Sequence, residues 1–354
     1  MRIVQLNPYH YPYMGGIEHR VHEVCKHLSR RHEVVVLTAQ LDGAKEVEEI
    51  DGYTVRRLPS RFLNIYNPPF VSTPGVLEAL NGIEPDLVDF HFRWAPSYTR
   101  AMTEYDGRGV FTFHNTFGEG KGIIGAASTV NDSLFARHIR DRRVICVTDF
   151  VKRDLLSRGF DEAQLDVVPT GVHLAEGNGH DDGFVLFAGR LVGTKGLPYL
   201  IKAMAQVDGR LVIMGSGPDR DRLESLTGRL GLEDRVQFTG QVDEDTKQRL
   251  MSSCSVFAMP SLFESLGLAA AEAMSWGKPV VATQVGGLPE IVGDGGILVP
   301  PKDPPAMAGA LNLLLSDREK RREVGAKARA HMRKYDWNIV ARDLEKVYLR
   351  AAEE

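Results

Sequence analysis

The chain has 354 residues, 43% of them hydrophobic and 25% charged, with a formal net charge of -4. That length suits two packed domains, the composition is that of an ordinary globular protein, and the mild acidity gives no general attraction to nucleic acid, so no such partner is expected. Cys25, Cys146 and Cys254 are odd in number and far apart, a pattern that offers neither a disulfide framework nor a zinc site.

In chain order, short apolar runs alternate with helical patterns. RIVQLN, EVVVLTA, TVRRLP, DLVDFH, GVFTFH, RVICVT and LDVVPT read as strands of the first half. Most are too uniformly apolar for one-sided strands, which predicts a parallel sheet covered on both faces. The MRIVQLNPYH opening is too short in its apolar part for a signal peptide, and no later run approaches the roughly 18 residues of a membrane span. A cytoplasmic protein is expected, with peripheral contact to a membrane surface still open. After the first strand, Gly15 and Gly16 precede Ile17, Val21, Val24, Cys25 and Leu28 at helical spacing. Glycines at a helix N-terminus let a phosphate approach backbone N–H groups, although a tight turn would also use them.

Residues 175–183, AEGNGHDDG, hold three glycines and no large apolar side chain, and read as an interdomain linker. The alternation restarts with GFVLFAGR, RLVIMGSG, RVQFTG, SVFAMPS, PVVATQ and GILVPP. From Asp336, a good N-cap type, Trp337, Val340, Leu344, Val347 and Tyr348 fall on one helical face that needs a surface to bury against. The expected class is α/β. Two Rossmann-like doubly wound parallel sheets, 1–174 with a returning helix 336–354 and 184–335, would face a central cleft at the carboxyl ends of their strands.

The residues at those strand ends carry the chemistry. Arg190 directly follows a strand and Lys195 precedes the next helix, in LFAGRLVGTKGLPYL. Two cations there suit a ligand with two phosphates, since a close charge pair is worth on the order of 4 kcal/mol at an effective dielectric near 20. In PSLFESLGLAAAEAMSWGKPVVAT, Glu264 follows a strand and Glu272 comes eight residues later, with the helix expected to begin near Leu266. Carboxylates accept hydrogen bonds from neighbouring hydroxyls, as a ribose diol offers. The plainer alternative is one helix cap and one exposed acid.

These stretches, with GGIEHRV, TFHN, AGRLVGTKG, MGSGP, GKPVVAT and GGLPEIV, resemble the retaining glycosyltransferase family 4 over nearly the whole chain. The resemblance implies the GT-B fold and transfer of a hexosyl group from a nucleotide diphosphate sugar (UDP-, GDP- or ADP-linked) to a glycan or lipid-linked acceptor, with retention of configuration. It assigns Glu272 to the ribose hydroxyls, Glu264 to a hydroxyl of the transferred sugar, and Arg190 and Lys195 to the leaving diphosphate. The N–H groups of Gly267 and Leu268, with Gly15 and Gly16, would complete an anion cradle. His114 would lie near the donor sugar and acceptor, with His10 and His91 as weaker candidates, while Gly215, Gly217, Gln241 and Val242 would approach the nucleoside. The family often reads Asn-Gly-Val-Asp where this chain has Thr170, Gly171, Val172 and His173.

No metal or other cofactor is expected. DRD at 219–221 and DED at 243–245 open helical patterns, where acidic residues serve the helix N-terminus without an ion. A nicotinamide-dependent dehydrogenase is disfavoured because GSGPDR has Arg220 at the third glycine of the fingerprint. A sugar-nucleotide epimerase, a phosphorylase of related architecture and a non-catalytic nucleotide-sugar binder remain alternatives. Arg318 to Lys334 carries eight basic and two acidic residues, a solvated helix face or a membrane-surface contact.

Overall fold

The computed structural model describes residues 1–13, 15–63, 69–115, 135–177 and 179–354. Two units divide them, Met1–Gly171 with Trp337–Glu354, and Val172–Asp336.

The strands of the first unit are β1 (Arg2–Leu6), β2 (Glu33–Ala39), β3 (Val47–Ile50), β4 (Tyr53–Leu58), β5 (Arg61–Leu63), β6 (Phe70–Ser72), β7 (Leu87–Phe90), β8 (Gly109–Phe113), β9 (Arg143–Cys146) and β10 (Leu165–Val167). The main sheet runs β10-β9-β8-β7-β1-β2-β4-β3, parallel except for the edge strand β3, and β5 with β6 forms a separate antiparallel pair. Uniformly apolar strands bury both faces: Val4 and Leu6 of β1 enter one cluster while Ile3 enters the other. The second cluster is closed by α1 (Gly16–Leu28) and the C-terminal helix (Trp337–Glu353), whose Trp337, Val340, Leu344, Val347 and Tyr348 pack with Ile3, Val21, Val24, Cys25 and Leu28. Each large side chain so buried contributes roughly 1.5–3 kcal/mol.

The second unit holds β11 (Phe184–Ala188), β12 (Arg210–Met214), β13 (Val236–Gly240), β14 (Val256–Met259), β15 (Val280–Thr283) and β16 (Gly296–Val299), in the order β13-β12-β11-β14-β15-β16 and all parallel. Val185 and Phe187 face one core and Phe184, Leu186 and Ala188 the other. Strand order reverses between β11 and β14 here, and between β1 and β7 in the first unit. Open α/β sheets bind ligands beyond the carboxyl ends of strands at such reversals.

The division of the chain falls at Gly171 and Val172, so 175–183 belongs to the second unit; residue 178 lies outside the described residues. Far from floating as a linker, this stretch is anchored. Asp181 accepts from Ser255 and pairs with Arg321 at 2.6 Å, and the Lys278 ammonium donates to the His180 carbonyl. Residues 318–334 form a helix (Arg318–Met332) and a short turn, and several of their cations are tied down, Lys327 and Lys320 to Glu323 at 2.6 and 3.1 Å and Arg321 to Asp181. No helix among the described residues is long and apolar enough to cross a membrane.

Candidate active site

In the second unit the reversal between β11 and β14 gathers the polar groups. After β11 the chain passes Gly189 and the exposed Arg190 into a 3-10 turn, Gly193–Lys195. After β14 it forms the loop Pro260–Gly267 before a helix over Leu268–Ser275. The two loops are stitched together by Leu262 N–H donating to the Thr194 carbonyl at 2.7 Å. A Cβ on Gly196, at φ 64°, would stand 2.0 Å from the Pro260 carbonyl oxygen, so glycine is what permits this approach. The result brings Lys195 and Glu264 together, Nζ to Oε2 at 2.5 Å, with Ser261 Oγ 3.5 Å from the same oxygen.

That pair is partly exposed, 22% for the lysine side chain and 14% for the glutamate. An ammonium has three N–H bonds and a carboxylate two oxygens. Among the described residues Lys195 spends one N–H on Glu264, and Glu264 Oε1 accepts nothing. Arg190 has no side-chain hydrogen bond or ion pair among the described residues. The loops therefore present a cationic donor, Lys195, beside a carboxylate acceptor, Glu264, with exposed Arg190 on the same connection.

Glu272 lies one turn inside the Leu268–Ser275 helix, which begins two residues later than the sequence spacing predicts because Gly267 takes φ 94° as its N-cap. A Cβ on Gly267 would stand 2.6 Å from Leu288 Cδ2. Glu272 pairs at 3.1 Å with Lys247, on the helix Glu244–Ser253. Burial pushes the Glu272 carboxyl above its usual range and Lys247 opposes that. Lys247 escapes sequence reasoning because nothing local marks it; the only hint is its place one turn into the helix that DED opens.

The glycines Gly215 and Gly217 have a packing cause of their own. A Cβ on Gly215, at φ 129°, would lie 2.0 Å from the Gly189 carbonyl oxygen, and one on Gly217 2.4 Å from that of Leu191. They hold the Arg190 loop in place. Val242 is half-buried against the core and Gln241 exposed. Of the acidic pairs, Asp243 caps its helix by accepting from Thr246 N–H at 2.7 Å, while Asp219 makes no such cap bond and Arg220 pairs with Glu224.

In the first unit Gly15 is the N-cap of α1 and a Cβ there would meet Glu18 Oε2 at 2.6 Å, whereas a Cβ on Gly16 would meet nothing within 4 Å. The chain's own packing thus does not require glycine at 16. His114 follows β8 and its Nε2 lies 3.0 Å from Nδ1 of the buried His91, which follows β7. Burial pushes His114 well below the usual imidazole range and His91 down to about 3, so both rings are neutral. His10 is fully buried, 2.9 Å from the Tyr53 hydroxyl, with burial lowering it likewise to about 3.

Comparison with known proteins agrees with this architecture. Residues 14–176 match the model of Glycosyltransferase Family 4, and residues 174–331 that of Glycosyl transferases group 1. Over 98% of this chain and 96% of its own length, a phosphatidyl-myo-inositol mannosyltransferase of Mycobacterium leprae is 30% identical. An uncharacterized glycosyltransferase of Methanocaldococcus jannaschii is 41% identical over 49% of this chain, a match that spans 46% of that protein. An Anabaena protein, HepE, solved in complex with UDP-glucose, superposes with a TM-score of 0.80 at 21% identity, covering 98% of this chain and 99% of that one. The chain belongs to glycosyltransferase family 4, with the two α/β units of the GT-B fold.

Proposed function

We propose that this glycosyltransferase moves a hexosyl group from a nucleotide diphosphate sugar to a hydroxyl of a glycan or lipid-linked acceptor, retaining anomeric configuration and needing no metal. The observation that carries the reading is the Lys195 and Glu264 pair at the β11/β14 reversal, with Arg190, which has no partner among the described residues, on the same connection as Lys195. In this reading Arg190 and Lys195 take the charge that grows on the leaving diphosphate, a preorganised electrostatic contribution of the kind that dominates many enzymes. Glu264 accepts from a hydroxyl of the sugar and fixes its orientation. Glu272 holds the ribose diol, Gly267 and Leu268 offer backbone N–H groups, and Gly215, Gly217 and Val242 line the nucleoside.

From the first unit, Gly15 and Gly16 add phosphate-binding backbone and His114 contacts the sugar. A nucleotide sugar is supported by the UDP-glucose held by HepE, and a lipid-linked acceptor by the mannosyltransferase of M. leprae, whose name specifies phosphatidyl-myo-inositol. Metal independence is supported by Asp243, committed to capping its helix. The reaction is assigned to the cytoplasm, with any membrane contact falling on exposed Arg318, Arg322, Arg333 and Lys334.

Calorimetry with UDP, GDP and ADP, then with the matching donor sugars, tests the donor half. One nucleotide is expected to bind at least tenfold tighter than the others, and adding acceptor should speed release of its diphosphate in the presence of a chelator. Binding without release would mark a non-catalytic binder, epimerised sugar without release would mark an epimerase, and loss of release on chelation would overturn metal independence.

A further inference from the structure

A row of polar side chains runs through the interior of the first unit to His114. Gln5 of β1 and Asp89 of β7 are register partners, and Thr112 of β8 lies beside them. Two residues earlier on the same strands, Ile3, Leu87 and Val110 belong to the core cluster that includes the C-terminal helix. Strand alternation therefore puts the polar row on that same face, continuing the apolar one toward the carboxyl edge. Gln5, Asp89 and Thr112 are 0% exposed and His91 is 4% exposed. Each of these groups has a partner. The Tyr348 hydroxyl, from the C-terminal helix, touches Asp89 Oδ2 and lies 3.0 Å from Gln5 Nε2. Gln5 Oε1 lies 2.7 Å from His91 Nε2, and His91 Nδ1 lies 3.0 Å from His114 Nε2.

The direction of every bond in this row follows from its first member. Burial raises the Asp89 carboxyl to about 7, so above that pH it is an ionised carboxylate that only accepts, and both Thr112 and Tyr348 donate to it. The tyrosine oxygen must then accept from Gln5 Nε2, which leaves Gln5 Oε1 to accept from His91 Nε2–H. A neutral imidazole has one N–H and one lone pair. His91 Nδ1 therefore accepts, His114 Nε2 carries the proton, and His114 Nδ1 is left with its lone pair and no partner among the described residues. Arg20, 1% exposed and held by the Val168 and Pro169 carbonyls, faces Asp89, both histidines and Tyr348. Its charge favours an ionised Asp89 and neutral rings. The Cys25 thiol also faces Asp89 and burial pushes it up, so it stays protonated, and Arg93 adds its charge on the His114 side.

We propose that Asp89, acting through Tyr348, Gln5 and His91, is a positioning residue that locks His114 in the Nε2–H tautomer, so that Nδ1 can only accept a hydrogen bond. Resting on the reading of His114 as a sugar contact, the inference specifies that contact: Nδ1 accepts a hydrogen bond from a substrate hydroxyl and cannot donate to a ring oxygen or phosphate. The step is hydrogen bonding alone, with no transfer of the proton.

Nitrogen-15 spectra of histidine-labelled protein at pH 8, with the His114→Gln variant for assignment, read the tautomer directly. The expected wild-type result is an unprotonated Nδ1 and a protonated Nε2. Tyr348→Phe, which cuts the row, is expected to give exchange-averaged signals from both tautomers, and Asp89→Asn the same. A wild-type ring protonated on Nδ1, or a tautomer unmoved by both variants, overturns the proposal. Should either variant fail to fold, the wild-type spectrum alone decides. If the spectra behave as expected but His114→Ala keeps wild-type kcat/KM, the sugar-contact reading fails and the tautomer lock stands.

Discussion

The carboxyl edges of the two sheets handle charge in opposite ways. In the second unit, Lys195 with Glu264 and Lys247 with Glu272 are ion pairs whose side chains are 14–27% exposed. In the first, Asp89, His91 and Gln5 lie inside the sheet's packing, and among the described residues the row leaves it at His114. Partly exposed pairs can exchange one partner for a ligand at low cost, because water and the ligand compensate what is broken. A buried row cannot, since any unmade bond costs roughly 1–3 kcal/mol in desolvation. One edge is suited to take up charge and the other to hold an orientation.

Removing the charge sharpens this contrast most. Lys195→Ala is expected to lower kcat by about 10²–10³, the scale of losing one preorganised charge-stabilising donor, with the thermal midpoint within a few degrees of wild type. Steady-state kinetics beside a melting curve would check it, and near-normal turnover would break the assignment.

The next effect concerns stability and belongs to the buried row. Burial pushes the Asp89 carboxyl from 3.8 up to about 7, against hydrogen bonds from Tyr348 and Thr112 and the charge of Arg20. The folded chain thus keeps a proton that the unfolded chain releases between about pH 4 and 7. Stability from this group is full below the unfolded value and is lost as pH rises through the folded one. At 1.36 kcal/mol per unit the loss is on the order of 4 kcal/mol. Denaturant midpoints measured from pH 4 to 8 should fall more steeply for wild type than for Asp89→Asn, and equal slopes would refute the shift.

The smallest effect is at Gly16. Space around its Cβ is open, so Gly16→Ala should change stability by no more than about 1 kcal/mol in favour of the helix, while weakening donor binding measured by calorimetry. Unchanged binding would remove Gly16 from the site.

Much of this was legible in the sequence because parallel strands buried on both faces are written as continuous apolar runs. The strands around Val4, Val36, Val185 and Phe257 are plain for that reason. Edge strand β3, Val47–Ile50, is not, since its Glu48 and Glu49 leave no apolar run. Glu264 and Glu272 stand out by local spacing, but Lys247, the partner of Glu272, is 25 residues away on another helix. The stretch at 175–183 looks like a linker because polarity alone does not distinguish solvated chain from chain held by Arg321 and Ser255. The buried row was hidden more deeply. Its signals are single polar residues inside apolar strands, Gln5 in RIVQL, Asp89 in LVDF and Thr112 in GVFTF. Their meaning depends on register between strands and on Tyr348, 343 residues from Gln5.

Tyr348 also gives the fold a temporal order. The ribosome emits the entire second unit before it reaches the helix that fills the interior of the first, a delay on the order of ten seconds at ordinary elongation speeds. Until then the sheet face over Gln5 and Asp89 is covered by α1 alone, so the earliest-made portion of the molecule is among the last to mature.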